Sequence, residues 1–162
     1  HSQLKIHSDK MVEDLAKYGV VPRKTGKEVF SEDKIPQSLH HHFIRGFFDG
    51  AGWCTYTKSH GRPHSRISIG FTGNYKMMTH IRDYFVKHLN EITNVKVHEY
   101  SNTEKGYIGF SSLIFSKFEN VKNIRVFIHK DATIFLKKKK EVLDEAIASI
   151  PSRRRIGRPR NA

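Results

Sequence analysis

The chain is short of acids, of cysteine and of long apolar runs. Asp and Glu number 16 against 29 Lys and Arg, for a formal net charge of +13 with His neutral. The pI is near 9.9. A surplus of that size disfavours cationic partners and favours anionic ones. Nucleic acid leads, since each neutralised phosphate releases counterions and adds affinity. A membrane surface is the rival. No apolar run approaches the roughly 18 residues of a spanning helix, and no signal peptide is visible. No basic amphipathic helix with a broad apolar face occurs either, so no membrane partner is expected. The single cysteine, Cys54, excludes an internal disulfide. It fits an intracellular, reducing compartment: cytoplasm, nucleoid or organelle matrix. No CxxC, HExxH or spaced Cys/His set occurs, which argues against structural zinc.

What is present is one domain's worth of chain, 162 residues with 37% hydrophobic content. "QLKIHS" alternates like a strand. "DKMVEDLAKYGV" reads as a helix with Met11, Leu15 and Tyr18 on one face, capped by Ser8 or Asp9 and ended by Gly19. Pro36 suits the start of the next helix, which carries Leu39, Phe43, Gly46, Phe47 and Gly50 as a stripe. "WCTYTKS" and "HSRISIGFTG" read as two strands. "NYKMMTHIRDYFVKHL" returns to helical spacing behind Asn74. "NVKVHEYS" and "KGYIGFSS" read as a second hairpin, "LIFSKFENVKN" as a short helix and "DATIFLKKKKEVLDEAIASI" as a longer one. The class is α+β.

Within the hairpins, one alternation is polar or basic: Lys58, His64, Arg66 and Ser68 in the first, Lys96, His98, Tyr100 and Lys105 in the second. One face of a four-stranded antiparallel sheet is therefore expected to be basic, with helices packed over the other. An ordinary solvated face has the same pattern, and the net charge shifts the balance toward double-stranded DNA, whose major groove admits an antiparallel ribbon.

The stretch "FIRGFFDGAG", Phe43 to Gly52, is the oddest in the chain. Gly46 and Gly50 are one helical turn apart, on one face. Each costs on the order of 1 kcal/mol in a helix interior. Close approach of a second helix backbone is the usual compensation. Gly50 and Gly52 also suit a helix end and a turn, which leaves Gly46 unexplained. Arg45 and Asp49, again one turn apart, are expected to pair on the helix surface.

"IRGFFDGAG" resembles the signature motif of the LAGLIDADG homing endonucleases. Gly46 matches the first glycine, Asp49 the first aspartate and Gly52 the last glycine. "HKDATIFLKKKKEVL" is similar to that family's closing segment. The resemblance implies an αββαββα half-domain over residues 36–150, with a four-stranded antiparallel DNA-binding sheet under helices. It implies sequence-specific binding and cleavage of double-stranded DNA. Two motif helices would pack at Gly46, Phe47 and Gly50, and their ends would hold Mg²⁺ at the scissile phosphates. Residues 1–35 are similar to the end of a preceding repeat and its linker. The chain would then be the second-motif half of a two-motif protein, paired with an upstream repeat or another chain; a homodimer is the runner-up. Such proteins serve intron or intein mobility.

Ala51 departs from the pattern. It falls on the second aspartate, the metal ligand of the family, and a methyl group cannot coordinate Mg²⁺. The Gly50 carbonyl remains as an oxygen donor, and Asp49 is a weak substitute expected to support the helix end. Cleavage is therefore expected to be disabled, either by a deliberate substitution or in a natural degenerate copy. The alternative function is a DNA-binding regulator or an intron RNA maturase. Lys139 matches the family's basic residue near the scissile phosphate. It also falls in an inward stripe with Phe135, Val142, Ala146 and Ile150. Lys137, Lys138 and Lys140 face DNA backbone or solvent. The family's water-positioning polar residue matches Gly70, with Ser68 two residues earlier. His40, His41 and His42 are expected to face solvent or phosphate. The tail, residues 151–162, is expected to be disordered without DNA. It carries Arg153, Arg154, Arg155 and Arg158, and it reads as a basic phosphate-binding arm or an AT-hook-like core.

Overall fold

Ser8 and Asn74 start two helices in the same way. Each sits in extended backbone, and its side-chain oxygen accepts the N–H three residues on, Met11 at 3.2 Å and Met77 at 2.9 Å. That pairing satisfies one of the donors orphaned at a helix start. The helices are α1 (Asp9–Lys17) and α3 (Tyr75–His88). The structure, a computed structural model, describes residues 5–18, 20, 29–58, 66–102 and 107–149.

Between and after them run α2 (His40–Ala51), β1 (Gly52–Thr57), β2 (Arg66–Gly73), β3 (Val97–Asn102), β4 (Tyr107–Phe115), α4 (Phe118–Ile128) and α5 (Lys137–Ser149). From α2 the order is helix, two strands, helix, two strands, helices, as the sequence predicts. Pro36 precedes a 3-10 turn, Gln37–Leu39, that feeds α2. The strands form one antiparallel sheet in the order β1-β2-β4-β3. The two hairpins thus meet along β2 and β4.

The helices cover one face of that sheet. Phe71 stands at its centre, with ring centroids of Phe48, Phe85 and Phe115 at 5.5, 5.8 and 6.5 Å. Ile44, Ile69, Met78, Ile81, Leu113 and Ile124 complete the buried layer. Burying each such side chain contributes about 1.5–3 kcal/mol. Phe30 belongs to this core at 2% exposure, stacked on Phe43 at 5.3 Å, although the sequence reading assigns it to a linker. By contrast α1 buries none of its residues: Met11, Val12 and Leu15 are 42–54% exposed, and the C-capping Tyr18 is 55% exposed.

Four local expectations are corrected. Lys5 to Ser8 are not strand. Leu113–Phe115 end β4 instead of opening a helix, because in strand register Leu113 and Phe115 face Phe71 and Ile69 in the core. The final helix starts at Lys137, six residues later than Asp131. Its buried face is Leu143 and Ala146, with Val142 only half-buried, while Phe135 lies before the helix and Ile150 outside the described residues. Among the described residues no helix is long and apolar enough to cross a membrane.

Candidate nucleic-acid interface and the end of the glycine helix

Strand register sorts the polar residues by face. Ile67, Ile69 and Phe71 point into the core, so Arg66, Ser68, Gly70 and Thr72 line the open side of β2. Pairing extends that side to Trp53, Thr55 and Thr57 on β1, Phe110, Ser112 and Ile114 on β4, and His98 and Tyr100 on β3. Arg66, Ser68, His98 and Tyr100 thus share one face as the alternation predicts, and exposed Lys96 flanks His98 just before β3. Lys58 does not share it. It follows Cys54 and Tyr56 to the helix side and pairs with Glu145 of α5 at 2.6 Å. His64, Lys105, Arg153, Arg154, Arg155 and Arg158 lie outside the described residues. Lys137 is exposed and sits 3.7 Å from Glu141.

The open face is also aromatic, which reading for charge misses. Tyr100 and Phe110 oppose each other across β3 and β4, stacked at 5.2 Å and 45% and 42% exposed. Trp53 lies directly over its cross-strand partner Gly70, where a Cβ would collide with the indole. Gly70 therefore makes room for a ring and holds no water-positioning group. Ser68 donates to or accepts from Ser116 at 2.9 Å. The alternation through His98 already included Tyr100; Trp53 and Phe110 lie on β1 and β4, and only the strand register brings them to this face.

The stripe Leu39–Phe43–Gly46–Phe47–Gly50 is the less covered side of α2, whose buried residues are His40, His41, Ile44, Arg45 and Phe48. Among the described residues a Cβ on Gly46 or Gly50 would meet nothing within 4 Å, so neither glycine is needed by their packing. Phe47 is half-buried against Gly73. Gly52 is different: a Cβ there would strike Phe48. Ala51 closes the helix as an exposed residue.

Lys139 reaches back to that helix end. Its ammonium donates to the carbonyls of Phe48 at 2.8 Å, Asp49 at 2.9 Å and Gly52 at 2.5 Å, and lies 5.1 Å from the centroid of the Phe48 ring. The Gly50 carbonyl is not among its acceptors. A cation on the unpaired carbonyls of a C-terminus is favoured by hydrogen bonding and by the helix dipole. Cys54 donates to the Lys139 carbonyl at 3.5 Å; burial pushes its thiol up, with the Lys139 charge opposing.

Arg45 and Asp49 do not pair, contrary to expectation. Arg45, 8% exposed, donates to the carbonyls of Ile134 at 2.9 Å and Ile128 at 3.2 Å, and its third nitrogen meets His42 Nδ1 at 2.7 Å. Asp49 accepts the Leu136 N–H at 3.1 Å, and its other oxygen is buried without a hydrogen-bond partner among the described residues. Both side chains tie the connection between α4 and α5 to α2, so Asp49 braces that connection and the start of α5 where the sequence reading has it support the helix's own end. His40 and His41 are also corrected, at 3% and 8% exposure. His40 Nε2 meets the Ile35 carbonyl at 2.7 Å, and its Nδ1 meets Tyr84 at 3.3 Å.

This helix end does not fit Mg²⁺. Residue 51 offers a methyl group, Asp49 gives one oxygen to Leu136 and keeps the other buried, and a fixed ammonium covers three of the nearby carbonyls. Among the described residues no three His, Cys, Asp or Glu side chains converge as metal ligands.

No protein-family model and no curated protein matches the chain. Solved structures do. One is a group I intron-encoded homing endonuclease, I-CeuI, complexed with DNA: 14% identity, TM-score 0.48, covering 86% of this chain and 65% of that one. A second is the LAGLIDADG homing endonuclease I-GzeII in complex with its DNA target: 16% identity, TM-score 0.47, 85% of this chain and 42% of that one. A third is the homing endonuclease I-TnaI, at 15% identity and TM-score 0.46, 65% of this chain and 67% of that one. The chain thus spans less than two thirds of the length of the first two structures.

Proposed function

We propose that this chain is one half of a LAGLIDADG-type saddle that binds double-stranded DNA sequence-specifically, with phosphodiester cleavage disabled at this half by Ala51. The observation that carries the reading is the pairing of two unfilled surfaces on one fold. The sheet's open face presents Arg66, His98 and exposed rings while the chain as a whole carries +13. The glycine face of α2 is open at Gly46 and Gly50, and α1 leaves its apolar side uncovered. A helix that carries the entropic cost of two glycines without using their smallness internally awaits another backbone. The partner is a second LAGLIDADG half, from an upstream repeat or another chain, with self-pairing as the runner-up.

In the active form of this arrangement the second aspartate supplies the oxygen ligand for Mg²⁺. Here the half keeps binding and loses that ligand, which also favours a second reading: a degenerate member acting as a DNA-binding regulator or intron RNA maturase. Selection of bound duplexes from a random library tests the first reading. Recovery of one extended site is expected, and recovery of no enriched sequence overturns it. Competition of that duplex against structured intron RNA separates the maturase. Mass measurement on the selected duplex, against 18.8 kDa for one chain, separates self-pairing from a missing half.

A further inference from the structure

A cavity of about 380 Å³ opens at the edge of the sheet, where β4 gives way to α4. Its polar lining includes Lys96, His98, Ser116, Lys117 and Asn120. His98 belongs to the open face, so the cavity adjoins the proposed DNA surface. Helix α4 runs for 11 residues, and its N-cap, Lys117, makes no side-chain capping bond. The first intrahelical bond is Val121 N–H to the Lys117 carbonyl at 3.1 Å. The N–H groups of residues 118–120 therefore precede the helical ladder and carry the positive end of its dipole.

A second observation points to a ligand. Asn120 is 5% exposed, lines the cavity, and its amide oxygen has no hydrogen-bond partner among the described residues. A buried amide oxygen without a partner costs about 1–3 kcal/mol; it can only accept, so an anion is met by the NH2 end of the same amide. Its two ends exchange by rotation about the terminal torsion, so either a donor or an acceptor is presented. Two lysines stand at the same mouth, and neither has an acidic partner among the described residues. The acid of the first turn, Glu119, does not line the cavity.

We infer that this cavity binds a phosphate group through the first-turn amides of α4, Lys96, Lys117 and the Asn120 amide, and that on bound DNA it holds a backbone phosphodiester beside the sheet face. The first part stands on the cavity alone. The second rests on the DNA-binding reading.

The test uses the full chain, ¹⁵N-labelled, titrated with inorganic phosphate against chloride at equal ionic strength. Saturable shifts confined to the amides of residues 118–120 and the Asn120 side chain are expected, and the Lys96→Gln/Lys117→Gln double variant abolishes them with the remaining spectrum unchanged. Equal shifts in chloride, or shifts that persist in the double variant, overturn the site. On the selected duplex, the slope of log affinity against log salt falls by about one in the double variant, since one neutralised phosphate contributes about 0.9. An unchanged slope overturns the phosphodiester assignment. Phosphate binding by a chain that selects no duplex upholds the cavity and defeats the DNA reading.

Discussion

The Lys139 ammonium lies 2.5 Å from the carbonyl of Gly52, in a cage completed by the carbonyls of Phe48 and Asp49. A side chain on α5 thereby closes the C-terminus of α2, one residue past Ala51. Its charge is taken up by backbone dipoles, so its first duty in this chain is to position the helix end.

Removing that cation leaves three carbonyls without their donor. Lys139→Met keeps the stem that packs toward Phe48 and removes the charge-assisted bonds, each worth about 1.5–3 kcal/mol when intact. The group is only half-buried, so solvent replaces part of the loss. A fall of about 2–3 kcal/mol is expected in urea unfolding. Methylammonium in the buffer restores part of it if the cage itself is the binding element. A stability change under about 0.5 kcal/mol would show that the three contacts do not matter.

The glycines separate by environment. Gly52→Ala and Gly70→Ala place a Cβ against Phe48 and the Trp53 indole, so both destabilise by about 1–3 kcal/mol. Gly46→Ala meets open space and gains helix propensity, so the isolated chain becomes more stable by up to about 1 kcal/mol. On the proposed pairing, Gly46→Leu leaves folding intact and abolishes association with a second half. Thermal melts and sizing with the partner half check both statements; undiminished association in Gly46→Leu would remove the glycine face from the interface.

The order of elements was legible because period and caps speak locally: Ser8 and Asn74 mark their helices, and alternation around Ile67–Phe71 marks its strand. Errors arose where tertiary packing overrides local pattern. Leu113–Phe115 reads as helix only until β2 pairs with it. The histidines of α2 look polar until Tyr84 and the Ile35 carbonyl cover His40. Arg45 and Asp49 have helical spacing for a pair, yet both serve a connection some 85 residues away, which no local rule reveals. The Lys139 position was legible as an inward lysine; its acceptors were not, because backbone carbonyls leave no trace in side-chain identity.

Acid should loosen the fold before carboxylates protonate. Burial holds His129 below the usual imidazole range, against a bond from its ring to the Arg125 carbonyl, and burial lowers His41 with help from His42, Lys130 and Arg45. A lowered histidine is neutral in the folded chain, so the unfolded state binds more protons as pH falls. The stability these two groups contribute is present above 6.5, their ordinary value, and is lost as pH falls through it toward the lowered one. A second loss begins near 3.8, the ordinary value for Asp144, where burial is outweighed by bonds from Lys140 and Arg125. Melting temperature is therefore expected to drop between pH 7 and 5.5, and His129→Phe should shrink that drop. A flat profile over the interval would refute the assignment.

Ala51→Asp places a carboxylate at the last position of α2, exposed and beside a helix end already braced by Lys139, Arg45 and Asp49. The bracing matters, because a metal ligand is useful only if its backbone is held. The fold of the variant should match the parent, since residue 51 packs against nothing it must displace. With the second half and the selected duplex present, Mg²⁺-dependent double-strand cleavage is expected. Oxygen ligation of the metal stabilises the transition state by several kcal/mol, so the rise over the Ala51 chain is about a thousandfold or more. Cleavage should vanish with EDTA and be absent in the Ala51 chain at the same occupancy. A variant that binds its site with unchanged affinity and never cuts would show that Ala51 is not what disables this half, and would favour the regulator or maturase reading.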